Sequence, residues 1–322
     1  MQRMMTRRSL LQASLGAAGA SASAGFLGAL IAPVARAKNA APPIQSMTLA
    51  EDLLLFQGAG GNVVVAKGDE GLLLVDGGSR ERSPELLKRI FEQTGQRRVQ
   101  QLVNTHWHWD HTGSNEALAK SGAPILAHEN TKLWLGTEIL SKWEGRTYEP
   151  RPPTALPTQT FFYDADAKPL RFGGQQIEYS LMPGAHTDGD IHLFFPRQNV
   201  LVGGGVISGG EYPIVDYVTG GWLGGMIGGL KAMLKKGDAN TRFVPGRGPL
   251  RTRADLEAQL DLCFTTLSRI GQSYYKGQTW DELVASKPTR DFDARWGNPD
   301  TFLRLAYEGA WYHINEIRRV TR

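Results

Sequence analysis

The sequence predicts a mixed α/β fold. Two patterns carry the prediction: short apolar runs of strand length alternate with amphipathic segments, and Gly, Pro, Ser and Asn punctuate the joins. Size supplies a third observation. The chain has 322 residues, 41% apolar and 21% charged, which is ordinary globular composition with enough apolar material for a sizeable core. No internal repeat is visible, and the one low-complexity tract lies at the start.

That tract, residues 1–37, reads as an export signal. Arg7-Arg8 is followed by Leu10-Leu11, a weakly apolar Ala/Gly-rich run and Ala35-Arg36-Ala37, a small-x-small cleavage pattern. Gly16, Gly19, Gly25 and Gly28 make the run a poor membrane span. The expectation is a twin-arginine signal at 1–37, a periplasmic destination and no membrane contact after cleavage. A main domain follows at 38–290, then a C-terminal helical extension at 291–322, aromatic-rich and amphipathic in "YEGAWYHINEIRRV". Residues 1–37 hold Arg3, Arg7, Arg8 and Arg36 and no acid, so without them 36 basic and 32 acidic residues become 32 and 32. With no basic block left to track phosphates, no nucleic-acid partner is expected. A small-molecule substrate is, and the oligomeric state is left open.

Taken in order, "NVVVAK" and "GLLLVD" flank "GDE" as a hairpin. "SPELLKRIFEQTG" reads as a helix, with Ser83 as N-cap, Pro84 at the first helical position and Gly95 as the stop. "RRVQQLVNT" is a strand, "SNEALAKSG" a short helix and "APILA" another strand. Residues 129–143 look helical, and "YEPRPPTALPTQ" is a proline-rich loop that edges a domain or lies over a site. Strands "TFFYD", "PLRF", "QQIEYSLM", "IHLFFP" and "NVLVG" come next. A helix at 223–235, the strand "TRFVP" and further helices complete the chain. A lone cysteine, Cys263, rules out an internal disulfide; at helical spacing with Leu256, Leu260 and Leu267 it reads as a small buried hydrophobe.

"NTHWHWDHTG", residues 104–113, gathers three of the seven histidines and an aspartate into six positions. In an extended segment residues two apart point the same way, so His106 and His108 can present ring nitrogens to one point. Asp110 and His111 follow at the turn into a helix. Such convergent donors suit a metal ion. His128, His192 and His313 lack ligand spacing and read as structural or surface groups; Trp107, Trp109 and Trp222 either line an apolar pocket mouth or, the preferred reading, pack in the core. Asp188 and Asp190, beside His186, either orient its ring or close an Asx turn. Glycines between 203 and 229 show no phosphate-loop spacing, so no nucleotide is implied.

H-x-H-x-D-H resembles the signature of the metallo-β-lactamase superfamily, and other pieces match in order: "NVVVAKGDEGLLLVDGG" ending near Asp76, "PGAHTDGD" with His186, "NVLVGGGVISGGEYPIVD" and "FVPGRGPL". The resemblance covers about residues 47 to 275. It implies a four-layer αββα sandwich of two mixed β-sheets with a metal site at one edge. In that pattern His106, His108 and His186 hold a first metal, the arrangement of a catalytic zinc with one position left for water. Asp110 and His111 belong to a second.

Two departures fall on that second metal. Where the pattern has Gly-Asp this chain has Gly204-Gly205, and Pro-Gly-His-Gly has become Pro245-Gly246-Arg247-Gly248. Glycine offers no ligand, and a guanidinium has no lone pair to donate. One Zn2+ is therefore expected, the second being weak or absent. Arg247 either pairs with Asp110 in the vacated place or points to solvent. The implied activity is zinc-dependent hydrolysis of a carbonyl-centred bond (ester, lactone, thioester or β-lactam amide), with Asp110 and Arg247 as catalytic residues. Alternatives are a degenerate binding protein that keeps the fold and a mononuclear iron oxygenase, for which the lost Asp would be the usual carboxylate.

Overall fold

A computed structural model describes residues 42–141, 143–164 and 168–320. The expected signal segment, 1–37, lies outside the described residues. Strands β1 (Gln45–Ala50), β2 (Leu53–Ala59), β3 (Gly61–Gly68) and β4 (Gly71–Val75) run as an antiparallel meander. After helix α1 (Ser83–Thr94) the chain crosses over to β5 (Val99–Val103), parallel to β4. Helix α2 (Asn115–Lys120) leads to β6 (Ile125–His128), and helix α3 (Glu129–Leu135) is followed by a small hairpin, β7 (Ile139–Ser141) and β8 (Arg146–Tyr148). β9 (Gln159–Phe161) then closes a seven-stranded sheet in the order β1-β2-β3-β4-β5-β6-β9.

β10 (Leu170–Phe172), β11 (Gln175–Leu181), β12 (Ile191–Phe195), β13 (Val200–Gly204) and β14 (Arg242–Pro245) form a second, five-stranded sheet in chain order. Only its last pair, β13 and β14, is parallel, and helix α4 (Leu223–Lys236) makes that crossover. Helices α5 (Arg253–Tyr275), α6 (Trp280–Ala285), α7 (Asp293–Trp296), α8 (Asp300–Trp311) and α9 (Ile314–Val320) end the chain.

The layers follow from strand alternation, because successive side chains point to opposite faces. Leu53 and Leu55 of β2, with Val64 of β3 and Leu73 of β4, meet Leu193, Phe195, Val202 and Val244 of the second sheet. The intervening Leu54, Val65 and Leu74 pack outward on Leu86 and Ile90 of α1 and Leu118 of α2. On the far side Leu201 and Phe243 pack on Met226 and Leu230 of α4, and on Cys263 and Leu267 of α5. Helix, sheet, sheet and helix thus stack as the expected αββα sandwich. Strands buried on both faces explain the unbroken apolar runs "NVVVA" and "LLLV". Trp296, Phe302, Leu305 and Ile317 join the same cluster as α4 and α5, so residues beyond 290 complete the outer helical layer.

Two local expectations are corrected. Helix α1 begins at Ser83 with Arg82 as its N-cap, and the Ser83 hydroxyl instead accepts a hydrogen bond from Ser114 at 2.9 Å inside the fold. The helix expected over 129–143 stops at Leu135, with Gly136 as its cap, and Ile139 turns back against Tyr148. Both stretches bury apolar residues in one cluster, Leu135 and Ile139 against Trp107, which is why their spacing resembled a single helical face. The paired strands β1 and β2 add to the sheet beyond what the sequence pattern predicts.

Phe195 is fully buried between the sheets. Phe195→Ala is expected to lower unfolding stability by about 3–5 kcal/mol, measured as a shift in denaturant midpoint at constant slope.

Candidate metal centre

Parallel strands deliver their C-terminal ends to one rim. Asp76 follows β4, Asn104 to His111 follow β5, Gly205 follows β13, and Arg247 stands two residues beyond β14. His186 arrives on the turn between β11 and β12. Gly246 N–H donates to the Gly204 carbonyl at 2.7 Å, and Asn62 N–H to the Gly246 carbonyl at 2.7 Å, so the rim ties the two sheets together.

Asp76 sits at φ 65°, an uncommon backbone for a residue with a side chain. The carboxylate it aims inward accepts the Thr105 backbone N–H and hydroxyl, each at 2.8 Å, and His111 Nδ1–H at 2.7 Å. These bonds decide a tautomer. The Thr105 hydroxyl spends its only proton on Asp76, so at the 2.9 Å contact with His106 Nδ1 it is the ring that donates. His106 Nε2 is left with a lone pair.

The same reasoning settles the other two rings. His108 Nε2–H donates to Asp216 Oδ2 at 3.1 Å, which leaves Nδ1 bare, and His186 Nδ1–H donates to the Ile214 carbonyl at 2.8 Å, which leaves Nε2 bare. One ring nitrogen from each of His106, His108 and His186 lies within 4.8 Å of the others. His186 Nε2 and His108 Nδ1 stand only 3.0 Å apart with two lone pairs facing. Such a contact is repulsive unless a cation or a proton lies between. Burial and the surrounding imidazoles hold His106 well below the ordinary histidine value, and burial with the neighbouring His108 pushes His186 down to about 3, so neither of these two rings carries the proton near neutral pH. Three converging ring nitrogens, each backed by an acceptor on the opposite side of its ring, fit a divalent ion such as zinc.

Asp110 and His111 lie beside these converging donors, not among them. Arg247 Nε donates to Asp110 Oδ2 at 2.6 Å, while His111 Nε2 stands 3.4 Å from the same oxygen. Burial opposes charge on Asp110, but His111 and Arg247 hold its carboxyl well below the usual carboxylate range. Burial opposes charge on His111 too, yet Asp110 and Asp76 raise its pKa. Arg247 keeps 58% of its side chain exposed, so it both pairs with Asp110 and reaches the cleft. At position 205 a Cβ would lie 2.1 Å from His186 Cδ2, so an aspartate there requires the His186 ring to move.

The remaining candidates fall elsewhere. Asp190 accepts the Thr187 N–H at 2.5 Å and Asp188 accepts Trp134 Nε1–H at 2.7 Å, so neither touches the His186 ring. His128 caps α3, accepting the Asn130 N–H at 3.1 Å; His192 is buried, and His313 stacks on Trp222 at 4.1 Å. Trp107 and Trp222 are core, whereas Trp109 lines the cleft. Asp216 escaped the sequence reading because it is 108 residues from its ring partner. Thr219 Oγ1–H donates to Asp216 Oδ2 at 2.7 Å and accepts Trp107 Nε1–H at 3.0 Å. The Asp216 N–H also donates to the His186 carbonyl at 2.9 Å, so one residue holds the His108 ring and the backbone that carries His186.

Two outcomes are expected. Asp216→Asn can present an amide N–H to His108 and reverse its tautomer, so zinc affinity should fall about tenfold to a hundredfold in competition with a chromophoric chelator; equal affinity removes the positioning role. Depressed pKa values leave His106 and His186 without protons to displace well below pH 6.5. The pH slope of zinc affinity between 5.5 and 7.5 should therefore correspond to fewer than two protons from the three rings, and a three-proton slope contradicts the burial argument.

Comparison with known proteins agrees with this architecture. The family model described as the Metallo-beta-lactamase superfamily matches residues 57–261. A metallo-beta-lactamase type 2 from Bacillus sp. (strain 170) is 30% identical over 202 residues, 62% of this chain and 72% of the relative. The alpha subunit of a 2,4-dinitroanisole O-demethylase from Nocardioides sp. (strain JS1661) is 27% identical over 208 residues, 61% of this chain and 55% of that subunit. Among solved structures, a metallo-beta-lactamase from Pontibacter korlensis aligns with TM-score 0.56 at 21% identity, over 69% of this chain and 99% of that one. A stereoselective inverting sec-alkylsulfatase from Pseudomonas sp. aligns with TM-score 0.65 at 17% identity, over 82% and 50%. With the family model spanning both sheets and the three histidines on their shared rim, the chain belongs to the metallo-beta-lactamase superfamily.

Proposed function

We propose that this chain is an exported, mononuclear zinc hydrolase of a carbonyl-centred bond, in an ester, lactone, thioester or β-lactam amide. The observation that carries the reading is the contrast between neighbouring positions: three bare imidazole nitrogens converge at one, and a guanidinium–carboxylate pair fills the next. The β-lactam amide is included because relatives in Bacillus bear the name metallo-beta-lactamase type 2. Export rests on the pattern of residues 1–37, and no helix among the described residues is long and apolar enough to cross a membrane.

A zinc ion held by His106, His108 and His186 supplies a Lewis acid that polarises a carbonyl and lowers the pKa of a water. The chain's own residues do the rest. Asp110 Oδ1 is buried with no hydrogen-bond partner among the described residues, while Oδ2 is held by Arg247. A carboxylate kept so firmly ionised is a weak base, so its part is to orient the attacking water. The water oxygen bonds to the carbonyl carbon, the bond to the leaving group breaks, and the proton ends on the departing alcohol, thiol or amine. Arg247 commits Nε to Asp110 and its side chain is largely exposed at the cleft, so its terminal N–H groups can steady the oxyanion. Among the converging donors there is no carboxylate, which favours zinc over a two-histidine, one-carboxylate iron centre.

Metal quantification on the purified protein, with a panel of small ester, lactone, thioester and β-lactam substrates, tests the reading. One zinc per chain and turnover of at least one carbonyl class are expected; a metal-free protein that cannot be reloaded, or one with two ions fully bound, overturns it. Arg247→His frees Asp110 and adds a ring nitrogen, so zinc stoichiometry should rise toward two. Unchanged stoichiometry means that Arg247 does not stand in for an ion.

A further inference from the structure

We propose that the cleft is built for a substrate bearing an aromatic ring beside the scissile carbonyl, and that Trp143 is the residue selecting it. This rests on the carbonyl-hydrolase reading above and adds the class of substrate. The cleft over the histidines encloses about 260 Å³, and one wall comes from the β7–β8 hairpin that the sequence did not reveal. Gly145, at φ 63°, lets its turn close. Trp143 sits in that turn and lines the cleft.

The hairpin is pinned to the fold. Its underside is anchored by Ile139, buried in the cluster that holds Trp107 and Leu135. The Tyr148 ring meets Trp107 edge to face at 5.4 Å, and its hydroxyl donates to Glu144 at 2.7 Å. The Arg146 guanidinium lies over both Trp109, at 5.2 Å, and Tyr148, at 4.6 Å. Trp109 and Tyr148 are therefore held in place by groups other than a ligand. Trp143 is 36% exposed and stacks on no other ring among the described residues. An indole left open at the mouth of a polar site adds little to folding; what it offers is a face for a flat apolar group.

Apolar side chains complete the lining. Ile207, Pro213 and Ile214 border the cleft, as does Tyr212, whose ring stacks on Phe302 at 4.9 Å and whose hydroxyl donates to Asp293 at 2.7 Å. At the floor the polarity reverses, because Arg247 brings guanidinium donors beside the three histidines. An aryl-substituted ester satisfies both ends: its carbonyl oxygen takes the guanidinium donors, and its ring lies between Trp143 and the aliphatic wall. The open indole of Trp143, with the Tyr148 ring on the same hairpin, favours an aromatic ring over a saturated one of similar size, by an increment beyond simple burial.

Ethyl phenylacetate and ethyl cyclohexylacetate make a matched pair, since a methylene insulates the carbonyl from the ring. The zinc-loaded protein should prefer the phenyl ester, measured as a ratio of kcat/KM. Trp143→Ala should lower that ratio about threefold to tenfold, mainly through KM, and Trp143→Phe should restore most of it. An unchanged ratio, or equal losses on both esters, overturns the proposal. Calorimetry with phenylacetate and cyclohexylacetate separates this from failure of the hydrolase reading, because it needs no turnover. If no ester is hydrolysed, tighter binding of phenylacetate that is lost in Trp143→Ala still supports the aromatic subsite, whereas equal affinities or no binding removes it.

Discussion

The rim of this protein depends on where three protons sit. Each of His106, His108 and His186 places one ring N–H on an acceptor that cannot donate in return: the Thr105 hydroxyl already committed to Asp76, the Asp216 carboxylate and the Ile214 carbonyl. The opposite nitrogens are thereby bare and converge. Supporting bonds of this kind fix the tautomer and the aim of each ring before any ion arrives. The strained backbone at Asp76 belongs to the same device, since its carboxylate serves the Thr105 backbone, the Thr105 hydroxyl and His111 together.

Charge beside that cluster is arranged differently. Asp110 is almost completely buried, and a buried carboxylate needs a partner. Arg247 and His111 supply it at one oxygen, leaving the other oxygen of Asp110 buried without a partner among the described residues. Position 205 adds a steric condition to this electrostatic one, because the His186 ring lies where a side chain would begin. Arg247 on Asp110 and the missing Cβ at 205 thus fall beside the same cluster of rings.

The scaffold makes these contacts possible by construction. Parallel pairs β4–β5 and β13–β14 put four C-terminal strand ends on one edge, and two buried sheet faces lock their register. The site is thus carried by loops rooted in buried, paired strands, and the added hairpin over it is anchored through its own small core.

What the sequence determined is what local chemistry can carry: the strand runs, Gly95 as a helix stop, the buried helical position of Cys263, and the histidine spacing at 106 and 108 that led to the family. Those signals need only neighbours, or a motif whose order survives along the chain. His186 was reached through that order, not through any local pattern of its own. Tertiary structure alone decided the rest. Whether Arg247 met Asp110 or solvent depended on the packing of β14 against β13; that Asp216 held His108 depended on a contact across 108 residues. The stretch from 129 to 143 split into helix and hairpin because both halves bury into one cluster, a preference invisible in periodicity. Side-chain pairing at a distance carries no signature in a single sequence, since either partner alone looks like an ordinary polar residue in a loop.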